Sequence, residues 1–217
     1  MRRKVKRSSR SGVSFGKVLG IEQLTALTAE LQNLRTYQPL IRQENGKYVG
    51  NILGFVKGLR LSAGIIYFLR ELLSSEDLEV NWGHILDSAE HSCSPECDII
   101  VHKKGHVRKW NGGEAPVMDF RFVRAEKVRA VVSCKSQLTA IDKAYPKALK
   151  RYGVKKIFLL AESCEEAQLP RLHRTAKEAG YSGLWCLYQT QKLASPFKTD
   201  ERMLIGFRNA VYKAICG

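Results

Sequence analysis

Three side chains at regular spacing give this sequence its chemistry. Asp98 opens the apolar run Cys97-Asp98-Ile99-Ile100-Val101-His102, and Ser133 and Lys135 stand two apart near the end of Val128-Arg129-Ala130-Val131-Val132-Ser133-Cys134-Lys135. Side chains at i and i+2 of a strand share one face. Ser133 and Lys135 therefore point together, and an acid at the start of a neighbouring strand joins them. A carboxylate is a hard-oxygen ligand for a divalent cation, and a nearby lysine orients or activates water and offsets charge building on a phosphate. That set suits metal-assisted phosphodiester hydrolysis. Taken singly, Asp98 reads as a strand-capping or turn acid and Lys135 as an edge lysine that discourages strand pairing. Their combination in a basic chain favours the chemistry.

These residues need a sheet to hold them. Ile21, Leu24, Leu27, Leu31 and Leu34 recur at helical spacing, Gln43-Glu44-Asn45-Gly46 signals a turn, and the apolar stretch 59–73 predicts a helix packed on a sheet. Ser74-Ser75-Glu76-Asp77 ends that helix, and 78–86 alternates as a strand. Loop 90–95 precedes the Asp98 strand, a glycine-containing connection (103–114) follows it, and 128–135 is the clearest strand. Thr139 can cap a helix from Ala140 to about Tyr152, closed by Gly153, before a strand over 156–161. A helix over 165–179, with Pro170 working against its first part, then leads to a strand over 183–188 and a helix over 201–215. Cys134 alternates with Ser133 and Lys135, so it is expected to face the core. The order predicts an α/β fold: a central mixed sheet, antiparallel early and with a crossover later, flanked by helices.

The chain has 217 residues, 44% hydrophobic and 26% charged, enough for one principal domain. We divide it into a flexible basic arm (1–18), a helical segment (19–57) and the α/β domain (58–217). Its net charge is +15 and its pI about 9.7. Seven basic residues and no acid lie within the first twenty, among them Arg2, Arg3, Lys4, Lys6, Arg7 and Arg10. A clustered arm of this kind fits a polyanion, nucleic acid before membrane, because cations on phosphates release condensed counterions. No apolar run approaches the roughly eighteen residues of a membrane span, and the start lacks a secretory apolar segment. The expected location is the cytoplasm or nucleoid, with the six cysteines reduced. His91, Cys93, Cys97, His102 and His106 could be arranged as a zinc site, but their spacings follow no two-plus-two pattern. Trp110, Phe120 and Phe122 among basic residues suit base stacking or shielding of a sheet edge equally well.

The stretches GLRLSAGIIYFLRELL, SPECDIIV and EKVRAVVSCKSQLT, covering roughly 59–161, resemble the PD-(D/E)XK nuclease superfamily, and within it a bacterial nuclease-like branch. The resemblance implies a restriction-endonuclease-like core: a helix, a three-stranded meander, a helix and a further strand. It implies that Asp98 holds Mg²⁺ or Mn²⁺ and that Lys135 is the catalytic lysine, with Ser133 where Glu or Asp is usual. A hydroxyl is a poor ligand for a hard cation. The site then either recruits an acid or has lost metal affinity. Glu71 on the preceding helix ranks first as the recruit, followed by Asp142 and Glu126. One group of type II restriction enzymes uses Ser/Thr-x-Lys with an acid on the next helix; SCK at 133–135 fits the first half, but the acid's position holds Leu149. The expected function is a DNA endonuclease of restriction or defence. The alternative is a degenerate nuclease fold that binds nucleic acid without cutting, and a basic structural or ribosome-associated protein is a third reading. The resemblance allows a homodimer.

Overall fold

A computed structural model describes residues 43–44, 47–48, 52–89, 91–105, 107–109, 120–190, 198–199 and 201–216. The arm residues Arg2 to Arg10, the periodic segment 21–34, His106 and Trp110 lie outside this set.

Strands β1 (Gln43–Glu44) and β2 (Lys47–Tyr48) pair antiparallel, with Asn45-Gly46 between them in sequence, where the turn signal fell. Helix α1 (Ile52–Leu72) is longer than its apolar core suggested and starts six residues before the domain boundary drawn at 58. Strands β3 (Leu78–Leu86), β4 (Cys97–Lys103) and β7 (Val128–Leu138) form the antiparallel meander, in spatial order β7-β4-β3. Two short strands inserted in sequence between β4 and β7 had not been anticipated: β5 (Val107–Lys109) and β6 (Phe120–Arg124). β6 runs parallel to β3 over Trp82–Leu86 and extends the sheet outward.

β8 (Ile157–Glu165) lies parallel between β7 and β9 (Gly183–Thr190). Every β8 residue but the last is buried, the continuous pattern expected of a strand covered on both faces. β10 (Lys198–Thr199) closes the sheet, whose order is β10-β9-β8-β7-β4-β3-β6-β5. The mixed sheet with antiparallel and crossover halves is thus the observed one.

Helices cover both faces. α1 and α4 (Glu201–Cys216) pack on one side, where Leu61, Ile65, Leu69, Phe207 and Val211 meet Val80, Ile99, Val132 and Leu160. α2 (Ala144–Lys150) and α3 (Leu169–Ala179) cover the other, where Leu149, Leu172 and Ala176 meet Ile100, Val131 and Leu159. Burying each large apolar side chain stabilises by about 1.5–3 kcal/mol relative to exposure.

α2 begins later than predicted, because β7 runs on to Leu138 and Asp142 Oδ1 accepts the N–H groups of Ala144 (2.9 Å) and Tyr145 (3.1 Å). α3 begins at Leu169, after a 3-10 turn over Glu166–Gln168; this puts Pro170 in the first turn, where its missing N–H costs nothing.

Two features of β3 shape the sheet edge. Its pairing with β4 shifts register between Asn81 and Gly83, and Gly83 adopts φ 151, where a Cβ would overlap the Arg121 carbonyl oxygen. Upstream, residues 78–81 pair with β4 on one side and, among the described residues, with no strand on the other. There the Arg70 guanidinium donates from Nε (3.0 Å) and Nη2 (2.8 Å) to the Val80 carbonyl.

Candidate active site

The register of β4 on β7 pairs Ile99 with Val132 and Ile100 with Val131, so the next rung toward the loop sets Asp98 opposite Ser133. Val132 and Cys134 belong to the α1-side core, which leaves Ser133 and Lys135 on the α2–α3 side. Cys134 itself is buried and faces away from Asp98's layer. Asp98 Oδ2 accepts the Cys134 N–H at 2.8 Å and the Ser133 hydroxyl at 3.3 Å. Burial pushes the Asp98 pKa up, opposed by the Cys134 N–H, the Lys135 charge and the Ser133 hydroxyl; Glu96 pushes it further up. Ser133 is buried and Lys135 exposed. The structure therefore brings together Asp98, Ser133 and Lys135.

The loop before β4 is built to hold its acid in place. Ser94 exchanges bonds with Ile85, N–H to carbonyl at 2.8 Å and Ile85 N–H to Ser94 Oγ at 2.9 Å. Asp87 collects the N–H groups of His91 (2.9 Å) and Ser92 (3.1 Å) and the Ser92 hydroxyl (2.6 Å). From α2, the Tyr145 hydroxyl donates to the Glu96 carbonyl (3.2 Å); just past the helix, the Tyr152 hydroxyl donates to that of Cys93 (2.7 Å). Burial, with Cys97 and the Asp98 charge nearby, pushes the Tyr145 pKa up, so its phenol stays a donor. Burial likewise pushes the Cys97 thiol up to about 11, which makes it a packing group and not a nucleophile.

The structure does not bring Glu71 to Asp98. Glu71 is exposed on α1, in the opposite layer, one residue after Arg70, which reaches Val80 at the far end of β3. Helix α1 meets the site's level instead near Ser62, which bonds Cys134; nine residues of helix, about 13 Å, separate the two levels. Asp142 is on the site's side of the sheet, where Tyr181 feels both its charge and that of Asp98, but its Oδ1 caps α2. Glu126 is exposed in the 3-10 turn ahead of β7, before the strand's first residue, whereas Ser133 lies at the middle of that strand.

Sequence reasoning missed Glu96. It stands two residues before Asp98, exposed, with Trp82 Nε1 donating to its Oε1 at 2.7 Å. Its signal was the Glu-x-Asp spacing within SPECDIIV, which gives two acids to one loop-strand junction. Among the described residues no group of three or more His, Cys, Asp or Glu gathers to hold a metal ion. Magnesium, however, is ordinarily held by one or two carboxylates together with water and substrate phosphate. Asp98 is one such carboxylate, and Glu96 stands near enough for its charge to raise the Asp98 pKa.

No family model matches the sequence, and no curated protein matches it. Solved structures do match in fold. NucC of E. coli MS115-1 in its cAAA-bound form aligns with TM-score 0.54 at 14% identity, covering 90% of this chain and 91% of that one. This chain has the fold of NucC. NucC of P. aeruginosa ATCC27853, cAAA-bound, aligns with TM-score 0.52 at 14% identity over 90% and 92% of the two chains. The apo form of E. coli MS115-1 NucC gives 0.52, 14%, 92% and 93%. The restriction-endonuclease-like core expected from the sequence, a mixed sheet flanked by helices, thus agrees with the fold of NucC.

Proposed function

We propose that the chain is a metal-dependent endonuclease acting on DNA in a defence or restriction setting in the cytoplasm, with Asp98, Glu96 and Lys135 as its working groups. The observation that carries the reading is the bonding of Asp98 Oδ2 to the Ser133 hydroxyl and the Cys134 N–H, beside Lys135 on the same strand, in a chain with the fold of NucC. Asp98 and Glu96 are the residues that would hold Mg²⁺ or Mn²⁺; the bound ion would polarise the phosphate and lower the pKa of an attacking water. The chain's own residues do the rest. The Cys134 N–H and the Ser133 hydroxyl fix the Asp98 carboxylate in orientation. Trp82 holds Glu96, and Tyr145 holds the backbone beneath it. Lys135, exposed on the same face, offsets charge developing on the scissile phosphate.

A second reading, a nuclease fold that binds nucleic acid without cutting, is favoured by one observation: neutral donors already satisfy Asp98 Oδ2, where the superfamily pattern expects a second carboxylate nearby.

The test is cleavage of plasmid and single-stranded DNA with Mg²⁺ or Mn²⁺, with and without cAAA, against EDTA, Asp98→Ala and Lys135→Ala. Metal-dependent cutting abolished in both variants supports the endonuclease. Binding without cutting under every condition overturns it in favour of the second reading.

A further inference from the structure

Segment 143–156 carries Lys143, Lys147, Lys150, Arg151, Lys155 and Lys156, all exposed, and contains no acidic residue. Lys143, Lys147 and Arg151 are spaced i, i+4, i+8 across α2 and its two capping positions, so they form one stripe opposite the buried Pro146 and Leu149. Lys150 departs from the stripe and lies against Gly180 at the end of α3. Like charges four residues apart on a helix repel. In a helix of seven residues, too short to hold itself, the stripe works against the element that carries it. What holds α2 is its buried face and the Tyr145 and Tyr152 hydroxyls, and those hydroxyls bind the loop that ends at Asp98. The cations are thereby fixed in place beside the candidate active site. α3, packed next to α2, adds Arg171, Arg174 and Lys177 to the same side of the sheet, all three exposed.

We propose that the Lys143–Lys147–Arg151 stripe of α2 is a phosphate-tracking surface that holds the sugar-phosphate backbone of a nucleic acid alongside Asp98. The inference rests on the nucleic-acid reading above and adds to it the surface that receives the substrate. The eight residue steps from Lys143 to Arg151 span about 12 Å at a rise of ~1.5 Å per residue. At about 3.4 Å of duplex axis per phosphate on a strand, that length faces about three phosphates. An anionic membrane is the weaker fit. Among the described residues the exposed large hydrophobic is Tyr67, on α1 in the opposite layer, so the basic face offers no apolar side chain to insert.

The test uses the full chain in EDTA, which prevents cutting, and reads anisotropy of a labelled DNA duplex between about 50 and about 200 mM salt. Replacing Lys143, Lys147 and Arg151 together by Gln should weaken binding roughly tenfold or more at the lower salt. It should also reduce the slope of log affinity against log salt by about 2 to 3, near 0.9 for each phosphate left without its cation. Replacing Arg208 and Lys213, on α4 at the other face, by Gln should leave the slope unchanged. A melting curve confirms that the triple variant folds, and restoring the charges as Arg, Arg and Lys should restore the slope. An unchanged slope in the folded triple variant overturns the proposal, as does wild-type protein that ignores DNA or prefers phosphatidylserine vesicles to it. Cleavage with an unchanged slope would remove this surface and leave the endonuclease reading standing. Stripe-dependent binding with no cleavage in Mg²⁺ or Mn²⁺ would do the reverse.

Discussion

Ser133 faces Asp98 across the β4–β7 pair, its hydroxyl donating to Asp98 Oδ2 at 3.3 Å, on the rung where the pattern that the sequence resembles carries a second acid. The Cys134 N–H binds the same oxygen at 2.8 Å. A carboxylate held by neutral donors keeps its orientation without a cation, yet is costly to ionise because it is partly removed from water.

That cost sets a pH dependence. The folded pKa of Asp98 is raised above its ordinary 3.8, so the stability tied to its protonated form is full below pH 3.8 and is lost as pH rises through the folded pKa. Asp98→Asn, which keeps an acceptor for Cys134, should therefore melt higher than wild type at neutral pH. The gap should close as pH falls toward 3.8. Calorimetry across that window checks it, and a gap that widens on acidification would refute the assignment.

Restoring the missing acid gives the converse. Ser133→Glu places a second carboxylate beside Asp98 at a buried position, with an expected cost of about 1–3 kcal/mol in stability. Mn²⁺ affinity, read by calorimetry or electron spin resonance, should rise at least about tenfold, since a hydroxyl becomes a hard charged ligand. Unaltered Mn²⁺ affinity would mean that the rung does not face the cation.

Glu96 should matter to both the metal and its neighbour. Glu96→Gln keeps a hydrogen-bond acceptor for Trp82 but removes a charge that raises the Asp98 pKa. The Asp98 titration, followed by carboxyl NMR, should move to lower pH, and Mn²⁺ binding should weaken about tenfold or more. A titration that stays in place would separate Glu96 from the site.

Gly83→Ala tests the sheet edge. An alanine there must take positive φ and push its Cβ into the Arg121 carbonyl, so β3 and β6 must part. Destabilisation of about 2–4 kcal/mol is expected from chemical denaturation. Gly105→Ala, which has open space around it and meets only its own backbone strain at φ 79, should cost about 1 kcal/mol.

Much of this was legible in the sequence because local and tertiary preferences agree. β8 opens with five apolar residues, β7 carries the apolar run Ala130-Val131-Val132 ahead of its polar end, and Gly153 and Gly180 close helices with positive φ. Strand periodicity put Ser133 and Lys135 on one face, and the resemblance to a nuclease core set the Asp98 strand beside them. What stayed hidden depended on long-range register. β6, Phe-Arg-Phe-Val-Arg, is too short to announce itself, and its parallel seat on β3 is set by the gap at Gly83. Glu71 sits on the expected helix, but α1 runs so that its acid end lies away from Asp98, a fact of three-dimensional direction that no helical spacing encodes. The basic stripe of α2 went unremarked because its importance comes from two tyrosines tying it to a loop about fifty residues earlier in sequence.

The Arg70 fork on the Val80 carbonyl bears on how the molecule behaves in company. The upstream half of β3 has a backbone rim without a strand neighbour among the described residues, the kind of border along which copies of a protein zip together. With its central acceptor engaged twice by a cation anchored on α1, that rim cannot accept a foreign N–H there without first expelling the guanidinium. The same interaction thus tightens a helix against its sheet and guards the chain from self-association by strand addition.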